Sequence, residues 1–341
     1  MSKKIIALDA MGGDHGPSVT VPAAKQALRE IADISLVLVG DEQKLTAELQ
    51  RLDLLGDDRI RIHHASEVVA MDEAPAHALK KKKDSSMRVA IDLVKSKEVQ
   101  ACVSAGNTGA LMATGKFVLK TIPGISRPAI CAMLPSINGA THMLDLGANL
   151  ECTPENLREF AVMGSVLAQS VEGVESPSVG LLNIGSEAMK GGETIKQASK
   201  LIADSGLNYY GFVEGDDIYK GTVNVVVTDG FAGNVSLKTG EGLAALVSDV
   251  LRREFKRNLI TKLAAIIALP VLQAVRRTLD PRRYNGASFL GLNGIVVKSH
   301  GSADTSSFFN AIKIASIEIE NDVPQRISSV IQTYFASKED S

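Results

Sequence analysis

Tryptophan is absent from the chain and aromatic residues make up only 4% of it, which leaves few platforms on which nucleobases could stack. Neither sign of charge dominates: 37 Lys and Arg stand against 39 Asp and Glu. No global basic field recruits nucleic acid, and none is expected as a partner. Cysteine is scarce. Cys102, Cys131 and Cys152 are odd in number, widely spaced and never form a Cys-x-x-Cys pair, which fits a reducing cytosol. The six histidines (His15, His63, His64, His77, His142 and His300) include no His-x-x-x-His pair and no Cys partner at zinc spacing, so no structural metal is expected. Long hydrophobic runs are missing too. Asp9 interrupts the apolar N-terminal stretch well short of a secretory core. The apolar segment from Leu263, "LAAIIALPVL", falls short of the roughly 20 residues of a membrane span and contains Pro270. Also absent are a Gly-x-x-x-x-Gly-Lys-Ser/Thr loop, a Gly-x-Gly-x-x-Gly opening a helix after a strand, and a Gly-x-Ser-x-Gly elbow.

Short apolar runs alternate with longer amphipathic ones. Ile5–Leu8, Ser35–Val39, Ile60–Ile62, Ala101–Val103, Ile130–Leu134, His142–Leu146, Val179–Ile184, Val223–Val227 and Ile295–Val297 read as strands. Helical patterns between most of them predict an α/β fold with a largely parallel sheet covered on both faces. "TPENL" is a helix start, with Thr153 as N-cap and Pro154 at the first helical position, and Leu157, Phe160, Ala161, Leu167 and Ala168 follow at helical spacing. No linker or internal repeat divides residues 1–341, which predicts one domain.

What sits after the strands is more specific. "LDAMGGDHGP" (Leu8–Pro17), "VSAGNTGALM" (Val103–Met112), "LDLGANLEC" (Leu144–Cys152), "LNIGSEAMKGGE" (Leu182–Glu193) and "VTDGFAGNVSLKT" (Val227–Thr239) are glycine-rich corners with Asn, Asp, Ser or Thr inside them. Ligands of open α/β sheets bind at the carboxyl ends of strands, so five such corners could line a single cleft. Glycine admits a ligand close to the backbone, and a helix N-terminus offers free amides to an anion, for which phosphate is the natural choice. Any one corner alone is ordinary turn chemistry. Cys102 and Cys131 lie inside apolar strands and read as inert. Cys152 is more accessible but has no evident base.

Two segments carry excess positive charge. "LKKKKDSSMR" (Leu79–Arg88) holds five basic residues in ten. Residues Leu251–Tyr284 hold nine Lys or Arg against Glu254 and Asp280, with apolar stripes Leu259, Leu263, Ile266, Ile267 and, after Pro270, Val271, Leu272, Val275, Leu279. This pattern predicts a hairpin of two short basic amphipathic helices, suited either to packing on the body or a second subunit or to docking on an anionic membrane.

The corners, with "SSMRVA", "RPAI", "YNGASFLGL" and "VKSHGS", resemble in order the motifs of the bacterial acyl-ACP:phosphate acyltransferase family of phospholipid synthesis, from about residue 5 to 305. The resemblance implies a three-layer α/β/α body like those of the isocitrate and isopropylmalate dehydrogenases and of phosphate acetyltransferase. It implies a dimeric, cytoplasmic, membrane-peripheral enzyme without metal or nucleotide. Such an enzyme moves a fatty acyl group from acyl carrier protein to inorganic phosphate, and a membrane glycerol-3-phosphate acyltransferase uses the acyl phosphate. Lys190 and Asn234 are then expected as catalytic donors to phosphate or oxyanion, and His15 or His300 as acid to the leaving thiolate. Asp9, Gly12, Gly13, Asp14, Gly106, Asn107, Thr108, Gly109, Asn149, Gly185, Asp229 and Gly233 are expected to shape the phosphate and acyl site. Lys81, Lys82 and Arg88 are expected to dock the carrier, and Leu259, Leu263, Ile266 and Ile267 to meet lipid. Two alternatives stand beside this reading: a phosphate-handling relative on the same fold (acetyl transfer from coenzyme A, or a metal-dependent 2-hydroxy-acid dehydrogenase), and a non-catalytic lipid-surface scaffold.

Overall fold

The computed structural model describes residues 3–187, 189–279 and 284–339. Eleven strands form one sheet. They are β1 (Lys4–Asp9), β2 (Ile34–Gly40), β3 (Ile60–His64), β4 (Ala101–Ser104), β5 (Ala129–Ser136), β6 (Gly139–Leu144), β7 (Val179–Leu182), β8 (Tyr209–Val213), β9 (Val225–Val227), β10 (Ala287–Leu290) and β11 (Ile295–Lys298). Their order is β3-β2-β1-β4-β11-β10-β5-β6-β9-β7-β8. Each of the nine expected strands is present. The two that were not expected, β8 and β10, are short and marked by glycine: Gly211 lies inside β8 at the sheet edge, and Gly286 and Gly291 flank the four residues of β10. Glycine in so short a run reads as loop.

Successive strand residues face opposite ways, and both faces are apolar, as a doubly covered sheet requires. On one face Ile6, Leu8, Leu36, Leu38 and Val103 pack under α1 (Pro17–Glu30), α2 (Glu42–Arg51) and α12 (Thr305–Glu320). Farther along the same face, Cys131, Leu144, Leu181 and Val227 pack under α6 (Pro154–Glu172), α7 (Glu193–Ala203) and α13 (Val323–Glu339). On the other face Ala7, Val37, Cys102, Met143 and Val226 meet α3 (Pro75–Lys81), α4 (Ser86–Lys95), α5 (Thr108–Leu119) and α8 (Asp217–Lys220). The result is the expected three-layer α/β/α arrangement. Helix α6 begins as predicted: Thr153 caps it in a capping box with Asn156, and Leu157, Phe160, Ala161, Leu167 and Ala168 are buried.

Strand direction decides where the corners open. β1, β2, β3, β4 and β11 are mutually parallel, as are β6, β7, β8 and β9. The pairs β11–β10, β10–β5 and β5–β6 are antiparallel, so the two parallel sets run in opposite directions. Corners that follow β1, β4 and β11 therefore lie at one end of the strands, and those that follow β6, β7 and β9 at the other.

The basic insert differs from the expected two-helix hairpin. Residues Leu251–Lys256 finish α9 (Gly230–Lys256), a helix of 27 residues. Asn258 then caps α10 (Leu259–Ile267) through a capping box with Thr261, and a turn at Ala268 leads into α11 (Leu269–Leu279). Pro270 therefore sits in the first turn of α11, where its missing amide hydrogen costs no bond, instead of marking the break. Residues 280–283, at the end of the expected hairpin, lie outside the described residues.

Glu318, on α12, is 2% exposed and accepts a short hydrogen bond from Ser288 Oγ of β10. Burial pushes its carboxyl up from the ordinary 4.5 to about 7. Between those values the folded chain holds a proton that the unfolded chain releases, so stability falls as pH rises through this window. Glu318→Gln keeps the shape and removes the ionisation. It should raise the melting temperature at pH 8, by the equivalent of roughly 3 kcal/mol, and leave it unchanged at pH 4. Equal melting curves at pH 8 would mean that Glu318 ionises without cost.

Candidate functional site

At the first strand end, a buried carboxylate organises the corners. Asp9 accepts from Ser104 Oγ at 2.6 Å and from the Gly12 amide at 3.2 Å, and burial holds its carboxyl above the usual range. A Cβ on Gly12 would stand 2.5 Å from Asp9 Oδ2 and 2.9 Å from the Gly106 nitrogen, so only glycine lets these two corners touch. Asp14 donates its amide to the Gly301 carbonyl at 2.9 Å, which ties in the corner after β11. Asn107 is committed to structure. Its Oδ1 caps α5 by accepting from the Ala110 amide at 2.9 Å, and its Nδ2 donates to the carbonyls of Met71 and Glu73 at 2.8 and 3.0 Å. The side chain expected to cradle phosphate is thus occupied. What remains open are the exposed first residues of α5, Thr108 and Gly109, whose amides have no intrahelical acceptor.

His300, exposed beside this corner, has Nδ1 2.9 Å from Ser302 Oγ. Partial burial and the nearby ammonium groups of Lys238 and Lys298 hold its pKa below 6.5. A neutral imidazole at pH 7 is a poorer acid than expected for the leaving thiolate. His15 is exposed in the same corner as Asp14. Lys298, the last residue of β11, went unnoticed in the sequence. It is 8% exposed, and burial lowers its pKa to about 8. Only its place in "VKSHGS", after a strand, could have marked it.

The other strand end has its own buried carboxylate. Asp145 accepts from the amides of Ile130 (2.9 Å), Ala148 (3.1 Å) and Asn149 (2.6 Å) and from Asn149 Nδ2 (2.9 Å), while burial keeps its carboxyl above the usual range. Asn149 also donates to the Pro128 carbonyl, so it too is a structural residue. Asp229 caps α9 by accepting from the Ala232 amide at 2.8 Å. Gly233 lies directly against the Asp145 carbonyl, where any side chain would collide. Asn234, one residue on, is exposed beside Gly147 and is not the N-cap that its place after Gly233 allows. Lys190 is no lone cation: Glu187 pairs with its Nζ at 2.9 Å, and Gly185 makes room for both side chains. Cys152 lies nearby with its thiol pushed up to about 12 by burial and by Asp145 and Asp229, which disarms it as a nucleophile.

The five corners thus form two groups, with Asp9, Gly12, Gly13, Asp14, His15, Gly106–Gly109 and His300 at one strand end and Asn149, Gly185, Lys190, Asp229, Gly233 and Asn234 at the other. Helix α9 starts in the second group, with Asp229 as its cap. Lys238 stands one turn, about 6 Å, beyond Asn234, and its charge acts on both Lys298 and His300.

This fold is that of the phosphotransacetylases. The EutD phosphotransacetylase of Staphylococcus aureus matches with a TM-score of 0.63 over 93% of this chain and 95% of its own, at 17% identity. The family described as "Fatty acid synthesis protein" matches residues 4–326. The phosphate acyltransferase of Methylococcus capsulatus is 59% identical over 333 residues, 98% of each chain, and that of Nitrosococcus oceani is 57% identical over 97% of each. The chain belongs to this family and is an acyltransferase.

Capping and chemistry can be separated around the start of α9. Asp229→Ala should lower the melting temperature by the equivalent of about 1 kcal/mol, the usual loss for a cap. Asn234→Ala should leave melting unchanged and cut turnover by about 10²–10³, the usual loss of one oxyanion donor. A lower melting point with full turnover in Asn234→Ala would assign this residue to structure.

Proposed function

We propose that the enzyme transfers a fatty acyl group from the thioester of acyl carrier protein to inorganic phosphate and releases acyl phosphate, the substrate of a membrane glycerol-3-phosphate acyltransferase. The observation that carries this reading is the pairing of an anion-ready helix start at Thr108 and Gly109 with relatives named for phosphate acyl transfer. In this reaction a phosphate oxygen attacks the acyl carbon, a C–O bond forms, and the carbonyl oxygen takes negative charge. Collapse breaks the C–S bond, and the carrier's thiolate departs and takes up a proton. Phosphate needs no strong base, so the work of the protein is to hold it and to stabilise the oxyanion. The Asn234 amide and the Lys190 ammonium, once released from Glu187, are the donors for that charge. His15 and His300 remain the acids nearest the phosphate corner.

Carrier docking is assigned to the surface of α3, α4 and α5. Lys80 and Lys81 are exposed, Lys82 is half-buried at the end of α3, and Arg88 pairs with Asp92 at 2.9 Å. Phe117 on α5 is 54% exposed, with Arg88 and Lys120 over its ring at 5.7 and 4.9 Å. An apolar ring among cations suits an acidic partner.

Membrane contact is assigned to α10. Leu259, Leu263, Ile266 and Ile267 are between 63 and 83% exposed, and no residue of this helix is buried. Among the described residues, no helix is long and apolar enough to cross a membrane. Helix α9 also exposes Leu243, Leu246, Val247 and Val250 at helical spacing, the face we assign to the second copy of a homodimer.

Phosphate-dependent release of free thiol from acyl carrier protein tests the reaction, and release that ignores phosphate would reject it. Lys80→Glu with Lys81→Glu should raise the KM for the carrier thioester several-fold and leave a short acyl thioester unaffected; equal effects on both would remove the docking assignment. Leu263→Glu with Ile267→Glu should abolish sedimentation with anionic vesicles while turnover and dimer mass persist. Loss of fold or dimer in that variant would place the stripe in an interface instead.

A further inference from the structure

The phosphate corner contains a buried cation that no expected role accounts for. Lys298 ends β11 beside Ser104 of β4, with its side chain turned back on the turn that leads into α5. Its Nζ donates to the Ala105 carbonyl at 3.2 Å and, by a short bond, to the Ser299 carbonyl. Two carbonyls leave one of its three hydrogens unassigned. Among the described residues no carboxylate forms a salt bridge with it. Asp9 and Asp14 act on it only through space, and Asp9 is itself buried and biased toward its protonated form. A lysine only 8% exposed and without a paired anion is costly unless an anion arrives.

Resting on the reading above, in which phosphate is the acyl acceptor, we propose that Lys298 is a phosphate-binding residue whose ammonium completes the site begun by the amides of Thr108 and Gly109. The geometry favours a small, highly charged acceptor. The two carbonyls fix Nζ in place, so the charge is preorganised and little side-chain freedom is lost on binding. Exposed Asp14 and His300 flank the approach, and Met71 of the 70–75 segment, which Asn107 clamps, lies against Gly301. Placed there, phosphate lies on the side reached by the charge of Lys238, one turn of α9 beyond Asn234.

Because the ammonium is lost above about pH 8, the affinity for phosphate should fall there. The groups that face Lys298 and His300 are Asp9, Asp14, Lys238 and Glu241. Of these, Asp9 has its carboxyl held up by burial and can lose a proton as pH rises, and Asp9→Asn separates its contribution. Phosphate is already a dianion in this range and adds no titration of its own.

The test is steady-state release of carrier thiol with phosphate varied. Lys298→Met should raise the KM for phosphate about 10- to 100-fold, the loss of one charged hydrogen bond, while the KM for the acyl donor changes less than twofold. Lys298→Arg, which keeps the charge, should recover part of the loss. In the wild type, KM for phosphate should climb on the order of tenfold per pH unit above pH 8. An unchanged phosphate KM in folded Lys298→Met overturns the assignment. If that variant unfolds, the wild-type pH profile decides, and a flat phosphate KM from pH 7 to 9.5 overturns it equally. Wild-type release that does not depend on phosphate would instead reject the acceptor reading itself, so the two failures are told apart.

Discussion

Backbone amides turned onto a buried carboxylate are the interaction on which the rest of the structure depends. Asp9 and Asp145 do the same work at opposite ends of the strands. Each sits at the last turn of a strand, each is desolvated enough to hold its pKa up, and each gathers the donors of a glycine-rich loop. At the first strand end, Asp9 also holds Ser104, just ahead of the start of α5, whose first amides have no intrahelical acceptor. Glycine is needed where two loops meet, as at Gly12 against Gly106 and at Gly233 against Asp145.

Several polar residues in the corners turn out to be structural. Asn107 and Asn149 have the chemistry to hold a ligand, and both spend it on carbonyls and caps. Asp229 does likewise as a cap. The groups left facing outward are fewer: the start of α5, Asn234, Lys190 with its Glu187 partner, His15 and His300.

Much of the fold was legible because its signals are local. Alternation of short apolar runs with helical ones marked nine strands, and Thr153 with Pro154 marked the start of α6. The reversal of the sheet was not legible, because it depends on β10, a four-residue strand between glycines that carries no periodicity of its own. The division of the corners between two sets of oppositely directed strands was missed for that reason. In the site, residue types were visible and their partners were not. Glu187 stands three residues before Lys190 in the same corner, but the turn that joins the two charges carries no periodicity of its own. Nothing near Lys298 says that it is buried without an anion, because that depends on a contact across 193 residues, with Ala105.

Helix α9 is fixed to the sheet mainly through Gly230 and Gly233, the two buried residues of its 27. From Gly233 to its end it extends about 35 Å. A rod pinned near one tip is a lever: a tilt of about 5° moves the far end by roughly 3 Å, while Asn234, beside the pivot, shifts by a small fraction of that. Forces applied at α10 are thus geared down before they reach the corner at Asp145. Asn234 can hold its position while the outer helices shift.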